Sequence, residues 1–252
     1  MTKEPDKIDS LLERTLDDLE ALPEPGMRAG TLARRVAELT PDEIARFFNS
    51  LLVRIKTDKK ARAALALIVD PKALKSALGS SIFHDVHKRA TEVGLLKVVR
   101  LFTDLEPEKS GPAGYDKEID AQMESISLGE RRTLSKVGVK ESIDRLLSDP
   151  DPMVIGNILN NPRTTETEAV KIASKRPGAA EILKLVATHS KWSKRYAVKK
   201  AVALNPYSPP RVVIILLESL MAQDLKLVVK DKSLHEQVRT SAEELLKEGE
   251  EA

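Results

Sequence analysis

The sequence predicts an all-α protein whose C-terminal half is a stack of short helical repeats, and three observations carry that prediction. The first is an internal echo. Met153-Val154-Ile155-Gly156-Asn157-Ile158-Leu159-Asn160-Asn161-Pro162-Arg163-Thr164 returns 44 positions later as Ala197-Val198-Lys199-Lys200-Ala201-Val202-Ala203-Leu204-Asn205-Pro206-Tyr207-Ser208. Apolar positions fall largely on apolar positions, and the Asn-Pro pair and the hydroxyl after it are kept. Leu183-Lys184-Leu185-Val186 also returns as Leu225-Lys226-Leu227-Val228, 42 positions on. A period of about 40–47 residues is the mark of a helical-hairpin solenoid, whose units bury their apolar faces only against neighbours. The second observation is composition: 41% of the 252 residues are hydrophobic and 32% charged, but only 3% are aromatic. Such a balance, rich in Ala, Leu, Lys and Glu, favours helix over sheet. The third is a regular punctuation of caps and prolines between apolar stripes of helical period.

Taken in order, Ile8, Leu11, Leu12, Leu16 and Leu19 make residues 6–22 an amphipathic helix with Glu13, Asp17, Asp18 and Glu20 on its other face. Pro23-Glu24-Pro25-Gly26 stops it, and a second helix follows at about 28–39. Thr40-Pro41-Asp42-Glu43 combines an N-cap threonine, proline at the first helical position and a reciprocating glutamate. Behind it Ile44, Phe47, Phe48, Leu51, Leu52 and Ile55 form one stripe. Residues 60–69 read as the next helix. Asp70-Pro71 opens 71–78, and 82–103 follows with a break near Gly94. Residues 105–116 hold two prolines and two glycines without apolar period; they read as a linker between a helical region, 1–104, and a repeat region, 117–246.

Beyond the linker, helices are expected at 117–124, 129–136 and 140–147, the last ended by Ser148-Asp149-Pro150-Asp151-Pro152. The first helices of the two repeats, 152–160 and 194–204, stop at Asn-Pro, where a left-handed asparagine is expected. Thr165-Glu166-Thr167-Glu168 reads as a capping box, and Ser208-Pro209 as an N-cap serine with proline at the first position. Arg176-Pro177 begins a helix carrying Ile182, Leu183 and Val186. Leu234, Val238 and Ala242 carry the last one. Residues 247–252, acidic and without apolar period, are expected to be a disordered tail.

This order (an Asp-Pro corner, a short valine-bearing helix, an Asn-Pro turn, a capped second helix) resembles the leucine-rich-repeat-variant and HEAT-like families of α-solenoids over about residues 140–246. The resemblance implies stacked repeats and an extended interaction surface. HEAT-like solenoids include nucleic-acid-binding proteins and a class of DNA glycosylases, so it also implies that phosphate contacts are possible. The founding variant-repeat proteins are associated with a cysteine-ligated iron–sulfur cluster, and this chain has no cysteine to build one.

That absence removes disulfides, thiolate metal sites and cysteine nucleophiles. A charged N-terminus and the lack of any apolar run of membrane-spanning length point to a soluble, cytoplasmic protein. His84 and His87, a helical turn apart, are the one pair spaced to share a metal, and no second cluster of ligands joins them; ordinary surface histidines are the expectation. No Gly-x-Ser-x-Gly elbow or phosphate-cradling glycine loop occurs. The outstanding feature is charge. Lys171 to Lys200 carries nine bases against Glu181 alone, a net +8, whereas Met1 to Glu24 carries −5. Lys175, Arg176, Lys191, Trp192, Lys194, Arg195, Tyr196, Lys199 and Lys200 form the candidate binding surface, with Tyr196 and Lys200 projecting from their helix at nearly the same angle. The expected role is a non-catalytic interaction scaffold for a protein partner, with no cofactor, metal, membrane or small-molecule substrate. The alternatives are nucleic-acid binding through the 171–200 surface and, less favoured, a HEAT-like enzyme acting on nucleic acid.

Overall fold

The computed structural model describes residues 7–55, 57–68, 72–103, 105–111, 123 and 125–250. Among them all regular structure is helical: fifteen α-helices and a 3₁₀ turn, with no strand. The chain divides into two compact units, 1–104 and 105–252. Residues 105–111 belong with the second unit, where the Lys109 N–H donates to the Pro206 carbonyl at 3.2 Å. Residues 112–116 of the expected linker lie outside the described residues. Of the helix expected at 117–124 only Met123 is described, buried in a turn.

The first unit contains α1 (Lys7–Ala21), α2 (Pro25–Ala37), α3 (Pro41–Arg54), α4 (Lys59–Ile68), α5 (Lys72–Glu92) and α6 (Leu96–Leu101). α2 starts earlier than its apolar period suggests because Pro25 takes the first helical position. At α3 the capping box forms: the Glu43 N–H donates to Thr40 Oγ1 at 3.4 Å, and the Thr40 N–H donates to Glu43 Oε2 at 3.0 Å. Its stripe is the core of the unit, with Ile44, Phe47, Phe48 and Leu51 buried and Phe48 meeting Phe47 and Phe102 edge-on. The two expected breaks fall on glycines with positive φ, Gly79 inside α5 and Gly94 after it, a conformation only glycine adopts without cost. The acidic face of α1 is answered from three helices. Arg54 meets Asp9 and Glu13, Lys60 meets Asp17 and Glu20, and Arg35 meets Asp18. The negative charge of this stretch is thus largely neutralised within the unit.

The second unit contains α7 (Leu128–Val137), α8 (Lys140–Leu146), α9 (Pro152–Asn160), α10 (Glu166–Ser174), α11 (Ala180–Thr188), the 3₁₀ turn Trp192–Lys194, α12 (Tyr196–Ala203), α13 (Pro210–Leu217), α14 (Ala222–Lys230) and α15 (Glu236–Glu250). Some helices two apart pack together (α7 on α9, α9 on α11, α10 on α12 and α13 on α15), and chain neighbours pack too, α14 on α15 above all. α13 is buried along its whole length.

Several boundaries differ from expectation for identifiable reasons. α12 is shorter than 194–204 because Trp192–Lys194 winds as a separate 3₁₀ turn. Ser208 does not cap α13; its hydroxyl turns back to the Val202 carbonyl at 2.7 Å, and the helix starts at Pro210. α11 begins at Ala180, past Pro177. α15 continues through Glu250, its last turns joined by a Lys247–Glu243 ion pair at 2.9 Å, so residues 247–250 are helix rather than tail. Residues 251–252 lie outside the described residues.

Candidate functional site

The 44-residue echo is a repeated hydrogen-bonding device. The last carbonyls of any helix have no intrahelical partner. An asparagine side chain offers two donors and an acceptor to satisfy them. Asn161 accepts from the Arg163 N–H at 3.0 Å and donates back to the Ser135 and Lys136 carbonyls at 3.5 and 3.1 Å, closing the end of α7. Asn205 accepts from the Tyr207 N–H at 3.1 Å and donates to the Ala173 and Lys175 carbonyls at 2.9 and 3.0 Å, closing the end of α10. The paired hydroxyls do matching work: Thr164 donates to Ile158 at 2.5 Å, as Ser208 does to Val202. Asn161 has φ −67° and ψ 129°, and no described residue other than glycine has positive φ. The expected left-handed asparagine is therefore absent. Its role lies in its side chain, which ties each helix end to the helix two before it.

Most of the candidate binding residues make similar ties. Lys175 Nζ donates to the Ser148 carbonyl at 2.9 Å, and Arg176 donates to the Leu204 carbonyl. Lys191 reaches the Thr164 carbonyl at 3.4 Å with its ammonium 4.0 Å from the Trp192 ring centre. Trp192 is not a surface aromatic. It is 2% exposed, wedged where α9 ends, and its indole N–H donates to the Leu159 carbonyl at 2.8 Å. Arg195 lies 3.7 Å from Glu166. Tyr196 and Lys200 do share a direction, but it leads to Asp224. The phenol donates to one carboxylate oxygen, Lys200 Nζ sits 2.9 Å from the other, and the Met221 N–H donates to the phenol oxygen at 3.0 Å. The Tyr196 and Lys200 bonds hold the buried Asp224 carboxyl below the usual carboxylate range. Burial, then that carboxylate, pushes the phenol pKa up. Lys199 is half-buried and also engaged within the chain. Lys194 is exposed and without an ion pair among the described residues.

Two arginine–aspartate pairs, His189 and Asp224 escaped the sequence reading. Arg131 and Asp149 form a buried pair at 2.7 Å, with side chains 11% and 0% exposed, and Arg132 grips Asp151 through two bonds of 2.9 and 3.1 Å. The two aspartates read as corner residues; the arginines that need them lie on α7. His189 closes α11. Its Nδ1 accepts from the Lys191 and Trp192 N–H groups at 3.2 and 3.4 Å, so Nε2 carries the proton and donates to Asn160 Oδ1 at 3.2 Å. Burial, with the Lys191 charge second, lowers the His189 pKa. Asp224, the common acceptor of Tyr196 and Lys200, sits in the first turn of α14, and both partners come from α12.

His84 and His87 gather no metal-holding group: among the described residues no three His, Cys, Asp or Glu side chains come together. No described helix is long and apolar enough to cross a membrane. The arrangement at 171–200 is thus mostly a set of ties within the chain, with exposed Lys171 and Lys194 outside it among the described residues. Compared with protein-family models, with curated proteins and with solved structures, the chain matches none.

Proposed function

We propose that the protein is a non-catalytic interaction scaffold, its second unit a short HEAT-like solenoid that presents a helical-repeat surface to a protein partner. One observation carries this reading. The cations of the 171–200 stretch are largely spent on the chain's own carbonyls and carboxylates, while large apolar side chains stay exposed on turns and helix starts. Val137 and Val139 are 73% and 59% exposed, and Met153 and Met221 are both 56% exposed. The Val137–Val139 turn is stiff. The Gly138 N–H donates to Leu134 at 2.7 Å, Arg163 donates to the Gly138 carbonyl at 3.2 Å, and Asn161 holds Lys136. Rigid exposed apolar groups are what a protein interface uses, because little ordering entropy is lost on binding. The scaffold reading also fits helix ends tied two apart, since stacking of that kind builds an extended surface.

Affinity capture with immobilised full-length protein, with and without nuclease, tests it. A stoichiometric protein partner is expected, retained after nuclease and lost with Val137→Asp/Val139→Asp but not with Lys194→Glu. Capture that depends on nucleic acid and vanishes with Lys194→Glu would overturn the scaffold in favour of a polyanion surface. That second reading draws on exposed Lys194, next to Arg195, and requires binding that weakens with salt, each phosphate contact contributing about 0.7–0.9 to the log–log slope.

A further inference from the structure

α2 and the part of α5 before its Gly79 break leave an open groove between them that neither the repeats nor the basic stretch explains. Its volume is about 470 Å³. At about 30 Å³ per carbon-sized group, that is room for the side chains of two or three leucines. Met27, Gly30, Thr31 and Arg34 line it from α2, spaced to share one helix face, with Leu22 before them and Ala77 on α5. Its apolar surface is accessible: Met27 is 51% exposed, Ala77 is exposed and Leu22 is half-buried. No carboxylate lines it among the described residues.

Two further features bear on what covers it. Gly30 lies in the interior of α2, where glycine is a poor helix former. A Cβ there would meet nothing of the chain within 4 Å. Packing within the chain therefore does not call for a glycine, whereas the close approach of a second backbone does. Arg34 is the second feature. It is exposed, and its guanidinium lies back along α2, with Nε on the Gly30 carbonyl and Nη2 on the Thr31 hydroxyl, both at 3.4 Å. Bonds that long are weak, and Arg34 has no ion pair among the described residues. The group is thus open to a carboxylate, which its fork can hold through two bonds. An accessible apolar wall, a floor without a side chain and one unanswered cation complement a helix that carries acid beside its apolar stripe.

We propose that the α2–α5 groove docks an acidic amphipathic helix of a partner protein. Two apolar side chains three or four residues apart enter between Leu22, Met27 and Ala77. The partner backbone approaches over Gly30, and a carboxylate beside the stripe meets Arg34. Methionine suits the wall because its unbranched thioether adapts to the shape it meets. The groove lies in the first unit and shares no residue with the Val137–Val139 turn, so it stands or falls apart from the scaffold reading of the second.

The test is selection of a random-peptide phage library on the full-length protein, with Gly30→Leu protein for counter-selection. Leucine at 30 fills the groove from a helix position where its Cβ meets nothing, so an unchanged or raised melting temperature shows the fold intact. Sequences with two apolar residues three or four apart and an adjacent Asp or Glu are expected. As synthetic peptides they should bind with a Kd of order 100 μM, and at least about ten-fold more weakly to the Gly30→Leu protein. Arg34→Glu should weaken them about five-fold, and exchanging the peptide's acid for lysine should recover most of that loss. Val137→Asp/Val139→Asp should leave binding unchanged; loss with that variant would place the site on the second unit and overturn the proposal. No enrichment over the counter-selection, or enriched peptides that bind the Arg34→Glu protein equally well, would overturn it as well.

Discussion

Asn205→Ala and Asn205→Asp together test whether the echoed asparagines hold the helix ends. Asn205 is 1% exposed and makes three bonds: it donates to Ala173 and Lys175 at 2.9 and 3.0 Å and accepts from Tyr207 at 3.1 Å. Alanine strands buried groups on both sides of the turn. At about 1–3 kcal/mol for each unsatisfied group, with some recovered by water or relaxation, the net loss should be about 2–4 kcal/mol. Aspartate keeps the acceptor for Tyr207 but sets a carboxylate against two carbonyl oxygens, so it should cost more than alanine at neutral pH. That order reverses the usual ranking in which the closer isostere is milder. The assay is urea unfolding followed by fluorescence. Trp192 is the chain's single tryptophan and lies in the second unit, so the signal reports that unit alone. The midpoint should fall in the order wild type, alanine, aspartate, with the slope unchanged. An aspartate variant as stable as wild type, or an alanine variant within about 0.5 kcal/mol of it, the range of an ordinary surface change, would refute the tie.

The remaining predictions use the same readout. The lowered His189 pKa means the folded state binds fewer protons than the unfolded one, so stability is full above the ordinary value of 6.5 and falls as pH drops below it toward the folded pKa; His189→Gln should flatten that part of the profile, and an unchanged slope would refute the assignment. A methyl group at Gly138 would meet the Leu134 carbonyl oxygen at 2.3 Å, so Gly138→Ala should cost about 1–3 kcal/mol, whereas Gly129→Ala, with nothing within 4 Å, should be neutral or slightly stabilising. Lys200→Glu places a second carboxylate against Asp224 and should lower the unfolding midpoint clearly, whereas Lys194→Glu, with no ion pair among the described residues, should leave it nearly unchanged. Equal effects of these two reversals would show that the Asp224 contact carries no stability.

Helix type and approximate position were legible because they depend on neighbours close in sequence. The α3 capping box, its aromatic stripe and the glycine breaks at 79 and 94 each need information from only a few residues. The 44-residue echo was legible too, but its meaning was not. A helix-ending asparagine is compatible with a left-handed cap or with a side-chain tie, and the choice turned on whether another helix end lay within reach. For Asn205 that end is thirty or more residues away. The basic stretch shows the same division. Its charge was plain from composition, but charge says nothing of where an ammonium points. Folding brought the Ser148 and Thr164 carbonyls to Lys175 and Lys191, and Asp224 to Lys200. Trp192 stands among the candidate surface residues by position in the chain, yet its burial is decided by the end of α9, thirty-three residues earlier. Local hydrogen bonding and apolar period are written in order along a chain, while burial and charge pairing are set by groups that meet only once the helices stack.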